Sequence, residues 1–106
     1  LGLEEESTIE GEHGEVVHYL SAAGGALGLR QSREAGAVDR YATGLHHLAF
    51  DAPSREVVDA VAEWLRAAEG AEIEGGPGER AYSPGYYAVF FFDPDGIKLE
   101  VVHQPD

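Results

Sequence analysis

Asp93-Pro94-Asp95-Gly96-Ile97-Lys98-Leu99-Glu100-Val101-Val102 follows directly on Tyr86-Tyr87-Ala88-Val89-Phe90-Phe91-Phe92, and together they decide how the chain is read. An aromatic run rich in strand-forming residues reaches a four-residue turn, and a second apolar run returns from it, which specifies a β-hairpin. Side chains alternate between the faces of a strand, so Ile97, Leu99 and Val101 share an apolar face while Lys98, Glu100 and Val102 look the other way. A carboxylate midway along such a strand is either solvated or has a chemical role.

Leu45-His46-His47-Leu48-Ala49-Phe50-Asp51 has the same grammar. Period 2 puts His46, Leu48 and Phe50 on one face and Leu45, His47 and Ala49 on the other. If Leu48 and Phe50 pack beneath the segment that follows, His47 points away from the core as Glu100 does, and the two are expected to be partners. His46 is expected to face the other way in a structural role.

Between these stretches lies a helix. Ser54, after Pro53, is its expected N-cap, and Glu56 sits in the first turn, where negative charge suits the helix dipole. Val57, Val61, Trp64, Leu65 and Ala68 form one apolar stripe, which makes Trp64 a core residue, and Gly70 is the natural stop. Ala71 to Glu74 reads as a short strand and Gly75 to Arg80 as a flexible loop. That loop is no phosphate cradle, because no strand feeds through it into a helix and no Gly-Lys-Ser/Thr ending appears. Asp93 and Asp95 belong to a turn and are not counted as ligands.

The first third reads as strands at Leu3 to Ile9, Glu15 to Ser21 and Ala26 to Gln31, joined by Glu10 to Gly14 and by the Ala22-Ala23-Gly24-Gly25 turn. His18 is expected to be structural. Ser32 to Thr43 is a polar connection. Residues 1–43 and 44–106 are therefore separate parts, the second ordered strand, helix, strand, strand, strand.

Composition bounds the function. One domain of modest size is implied by 106 residues. The absence of cysteine removes disulfides, thiolate metal sites and cysteine nucleophiles. A formal charge of −13 repels phosphate backbones, so no nucleic acid partner is expected. No apolar run approaches membrane length and the start does not resemble a signal peptide, so no membrane partner and a cytoplasmic location are expected. Twenty acidic residues against seven basic ones, with Lys98 the sole lysine, fit a protein that stays soluble at high salt, or an acidic protein from a GC-rich genome.

The His-His-Leu-Ala-Phe-Asp stretch, the helix and the Asp-Pro-Asp-Gly-Ile-Lys-Leu-Glu stretch together resemble the second βαβββ module of the vicinal oxygen chelate superfamily, over residues 44–103. That group includes glyoxalase I, extradiol dioxygenases, and fosfomycin and bleomycin resistance proteins. The resemblance implies an α+β fold of paired βαβββ modules forming a half-barrel cup around a divalent metal. Its ligand positions fall on His47 and Glu100, a donor pair suited to Fe, Mn, Zn, Ni or Co. Residues 3–31 match the last three strands of a first module whose opening strand and helix, with a further ligand, would precede Leu1. Neither His13 nor His18 stands where the family places a ligand.

Two departures weigh on activity. Gly28 stands where glyoxalase I has a glutamate ligand, which weakens the isomerase expectation. Phe90 stands where extradiol enzymes commonly have a tyrosine, with Tyr86 and Tyr87 nearby but displaced. Tyr86 and Phe90 share a face that could line a substrate pocket, and Arg30, on the strand face of Gly28, could hold an anionic group. The expectation is a divalent-metal-dependent enzyme acting on vicinal oxygens of a small molecule, dioxygenase-like ahead of glyoxalase-like. The alternatives are a metal-free, drug-sequestering module and a fosfomycin-type thiol transferase. Because a lone module leaves open sheet edges and half a cup, a homodimer is expected.

Overall fold

The computed structural model describes residues 4–10, 16–22, 25–30 and 36–105. It divides into two compact units, residues 1–36 and 37–106. The first holds a three-stranded antiparallel sheet in the order β1 (Glu4–Glu10), β2 (Val16–Ala22), β3 (Gly25–Arg30). Where their ends are described, the strands run one residue past the expected bounds, taking in Glu10, Ala22 and Gly25. Gly28 lies opposite Tyr19 in the β2–β3 ladder. Leu1 to Leu3, His13, and the centres of the expected loops at 11–15, 23–24 and 31–35 lie outside the described residues, as do the side chains of His18 and Arg30.

The second unit is β4 (Leu48–Asp51), α1 (Arg55–Ala67), β5 (Glu72–Glu79), β6 (Tyr87–Phe92) and β7 (Lys98–His103). Its four strands lie in the order β4-β7-β6-β5. The Asp-Pro-Asp-Gly turn forms as the sequence requires. Asp93 Oδ1 accepts from the backbone N–H groups of Asp95 and Ile97, both at 2.9 Å, and Gly96 takes a φ of +89°, a conformation natural to glycine. This closure sets Phe92 opposite Lys98 and, three pairs on with the strands antiparallel, Val89 opposite Val101.

The four-residue β4 runs parallel to β7, with Leu48 beside Leu99 and Phe50 beside Val101. Parallel neighbours need a crossover, and α1 begins it. Ser54 caps the helix as expected, its Oγ accepting from the Val57 N–H at 3.2 Å. The buried stripe differs from the expected one: Val58, Ala62 and Leu65 are the buried helix residues, whereas Trp64 is 68% exposed. The interface is rotated by one residue because Ala62, with no exposed surface, lets the helix lie close to the sheet, where an indole would hold it off. The three buried side chains pack on Val89, Phe91 and Val101. Each larger aliphatic one contributes roughly 1.5–3 kcal/mol relative to exposure.

A second difference concerns residues 75–79, expected as a loop but forming most of β5. The strand pairs only with β6, so it is a sheet edge where glycines and Pro77 can stand without breaking a second ladder. They leave their mark as register shifts between Ile73 and Gly75 and between Gly75 and Gly78. The other face of the sheet, away from α1, has its own small cluster of Ala88, Phe90 and Val102 with Tyr86 against it.

Candidate functional site

Glu100 is 2% exposed and, among the described residues, is the buried charged side chain. Its register explains its direction. It pairs with Phe90 across β6 and with Ala49 across β4, all on the face away from α1. Burial of a carboxylate in this position is costly unless its oxygens are occupied. Both are. His47 Nε2 lies 3.1 Å from Oε1, and the Tyr86 hydroxyl donates to Oε2.

His47 stands just before β4, two residues from Ala49, which keeps it on the Glu100 side. The expected partnership between residues 53 apart is thus present in the structure. His46 departs from expectation: its Nδ1 lies 2.8 Å from Nδ1 of His47, so the two rings are neighbours. Strand alternation does not extend to His46, two residues before the strand begins at Leu48. Loss of hydration, then repulsion from His47, Lys98 and Arg40, pushes the His46 imidazole below its ordinary range.

Phe90 packs edge-on against His47, ring centroids 6.4 Å apart. It carries no hydroxyl, but Tyr86, four residues earlier on the same side, supplies one directly to Glu100. Burial first, and then the Glu100 carboxylate that its proton bonds, raise the Tyr86 phenol above the ordinary tyrosine range. It therefore stays a proton donor at neutral pH. Of the three expected pocket residues, Tyr86 and Phe90 are brought to the site.

Sequence reasoning missed the cations around it. Lys98 contacts Glu74 at 2.8 Å, and Arg40 reaches the same carboxylate at 3.4 Å. The hydrogen bond from Lys98 is the main reason that the Glu74 carboxyl lies below its usual range. Lys98 is also 5.0 Å from the Phe90 ring centre. Its period-2 relation to Glu100 was the available signal. A cavity of about 270 Å³ opens beside this group, lined by His46, His47, Leu45, Ile97 and Lys98 among others.

His47 and Glu100 fit a divalent metal chemically. Two donors bound to one first-row ion at about 2.0–2.2 Å lie roughly 3 Å apart, which is the separation of this nitrogen and oxygen. No group of three or more metal-binding side chains occurs among the described residues.

A βαβββ sheet that turns an imidazole and a buried carboxylate to its helix-free face defines a class of half-barrel site. Residues 1–101 match the model of the Glyoxalase/Bleomycin resistance protein/Dioxygenase superfamily, and the chain belongs to that family. A glyoxylase/bleomycin resistance protein/dioxygenase domain from Frankia sp. EAN1pec superposes with a TM-score of 0.79 at 27% identity, covering 99% of this chain and 80% of that one. A glyoxalase family protein from Enterococcus faecalis gives 0.69 at 30% identity, over 95% and 78%. The uncharacterised protein YqjT of Bacillus subtilis (strain 168) is 43% identical over 63 residues, 59% of this chain and 49% of its own length. The chain thus spans about half the length of that curated relative. No helix among the described residues is long and apolar enough to cross a membrane.

Proposed function

We propose that the protein is a divalent-metal-dependent enzyme that binds adjacent oxygens of a small molecule, dioxygenase-like ahead of glyoxalase-like. The observation that carries this reading is Glu100, a 2%-exposed carboxylate with His47 3.1 Å away on the sheet face that bears no helix. A buried carboxylate is a poor way to stabilise a fold and a good way to hold a metal. His47 and Glu100 would hold the ion, which would supply Lewis acidity or, if iron, a site for dioxygen. Phe90 walls the pair on one side and limits water there. The Tyr86 hydroxyl holds the second Glu100 oxygen and keeps a proton within reach of the site. Gly28, without a side chain, speaks against a second carboxylate base of the glyoxalase I kind.

The test is elemental analysis of protein prepared without chelator, beside His47→Ala and Glu100→Ala. Near-stoichiometric Fe, Mn, Zn or Ni in the parent and its loss from both variants is the expected result. Oxygen uptake by iron-loaded protein with a catechol then selects ring cleavage over isomerisation or thiol transfer. Absence of metal after reconstitution overturns the reading.

A metal-free ligand-binding role is the second reading, favoured by the fact that both Glu100 oxygens already have donors from the protein. The edge strands β4 and β5 are each paired on one side only within their sheet, which supports assembly of the protein as a homodimer. Elution as a monomer at micromolar concentration would count against that.

A further inference from the structure

A cavity of about 470 Å³ opens where β4 and β7 end side by side, lined by Asp51, Ala52, Pro53, His103, Gln104 and Pro105. None of the residues that carry the functional reading above lines it. Its two sides are tied together by the chain itself. The Ala52 N–H donates to the Val102 carbonyl at 2.7 Å, and His103 Nδ1 lies 3.0 Å from the Ala52 carbonyl oxygen. Residues 103–105 are held in turn by residues 83–85. Gln104 Nε2 donates to Ser83 Oγ at 3.0 Å, and Pro105 rests on Gly85, where a Cβ would lie 2.5 Å from its Cγ. With these walls fixed beforehand, a ligand does not have to order them.

The same hydrogen bonds decide what the cavity offers. A carbonyl oxygen only accepts, so His103 carries its proton on Nδ1, and Nε2 of the neutral ring is an acceptor. Gln104 commits its Nε2 to Ser83 and keeps Oε1 as an acceptor. Asp51 is exposed, and among the described residues no basic side chain pairs with it. All three polar side chains of the lining thus present acceptors, one of them charged, beside two apolar proline rings. Such a lining leaves an anion unmatched and complements a cation that has N–H groups and an alkyl body. The volume suits a molecule of several heavy atoms rather than a bare ion.

We infer that this cavity is a second ligand site, which takes a small alkylamine or alkylguanidine. The ammonium or guanidinium donates to Asp51 and to the acceptors of His103 and Gln104, and the methylene chain packs on the proline rings. The site uses neither His47 nor Glu100, so it stands apart from the metal reading.

The experiment is an NMR titration of chelator-treated protein with butylamine and with butylguanidine, read at the His103 ring and the Gln104 side-chain amide. It is run at mildly alkaline pH, where an ordinary imidazole is neutral and an alkylamine still charged. Saturable shifts are expected with both. Tetramethylammonium, which has the charge without N–H groups, should give none; it controls for general attraction to a chain of net charge −13. Asp51→Asn keeps the shape, removes the charge and should weaken binding about tenfold or more. Gln104→Glu adds a carboxylate that the Ser83 hydroxyl can still bond, and should tighten binding severalfold. Asp95→Asn, the same change of net charge at an exposed turn, should change nothing.

Parent-like affinity in folded Asp51→Asn, or equal weakening in Asp51→Asn and Asp95→Asn, overturns the assignment. So does a parent protein that saturates with neither compound, or that responds as strongly to tetramethylammonium. If Asp51→Asn does not fold by circular dichroism, Gln104→Glu decides, and unchanged or weaker binding there overturns it. Loss of metal from His47→Ala leaves the result intact.

Discussion

Glu100→Gln separates a carboxylate kept for a metal from one kept for the fold. The substitution preserves volume at a position 2% exposed. It weakens two hydrogen bonds to a charged acceptor, from His47 and Tyr86, each contributing roughly 1.5–3 kcal/mol. It also relieves the desolvation of a buried carboxylate, a cost of several kcal/mol. The two nearly cancel, so metal-free stability should change by only about 1 kcal/mol, or roughly 4–8 °C in Tm for a domain of this size. Metal changes the comparison. At a free concentration of 100 Kd it stabilises the parent by about 2.7 kcal/mol, or roughly 10–20 °C. Losing one of the two described donors should weaken affinity about 100-fold or more, since even an outer partner of a ligand can account for that much. The same metal concentration then stabilises the variant by only about 0.4 kcal/mol. Differential scanning calorimetry with chelator and then with Fe, Mn, Zn or Ni makes the measurement. An equal metal-induced rise in both proteins, or a metal-free loss above about 4 kcal/mol in Glu100→Gln, would refute the reasoning.

Tyr86→Phe leaves the buried carboxylate one donor short and should destabilise by about 1–2 kcal/mol in urea unfolding; a change under about 0.3 would mean that the phenol contact contributes nothing. Since the Tyr86 and Tyr87 hydroxyls are both held above the ordinary range, Tyr86 chiefly by burial and Tyr87 chiefly by its hydrogen bond to Asp59, the native chain keeps protons that the unfolded chain releases near pH 10. Stability should therefore be flat in this respect below about pH 10 and fall above it, with a shallower fall in Tyr86→Phe; urea midpoints between pH 8 and 12 read this directly. Leu65→Ala, at 2% exposure, should cost about 2–5 kcal/mol, whereas Trp64→Ala, at 68% exposure, should stay within about 0.5 kcal/mol, and the reverse order in thermal melts would move the helix interface back to the tryptophan.

The hairpin was legible because its turn chemistry and alternation agree. Asp93 and Gly96 can do little else in that order, and once they close the turn, the register carries Glu100 to its face. His47 and Glu100 could be paired because each breaks an apolar strand pattern on the side away from the helix. Trp64 misled because hydrophobicity marks a stripe without saying which side chain is small enough for close approach, and Ala62 settled that. Residues 75–79 misled because glycine and proline signal loops in isolation, while an edge strand tolerates them. Alternation put Tyr86 on the Phe90 face, but its contact with Glu100, like that of Arg80 with Phe90, is made from just outside a strand, and those distances belong to the folded sheet.

The parallel pairing of β4 with β7 also fixes when the site can exist. His47 is made early in the second unit, but its partner belongs to the last strand, and the two meet only through the Leu48–Leu99 and Ala49–Glu100 register. A nascent chain that has emerged as far as β6 has the imidazole and the phenol but no carboxylate. Slippage by one residue would turn Glu100 toward the helix and Leu99 toward His47. On the proposed metal reading, an ion held by both side chains would have nothing to bind before the β4–β7 ladder closes, so loading would follow that closure.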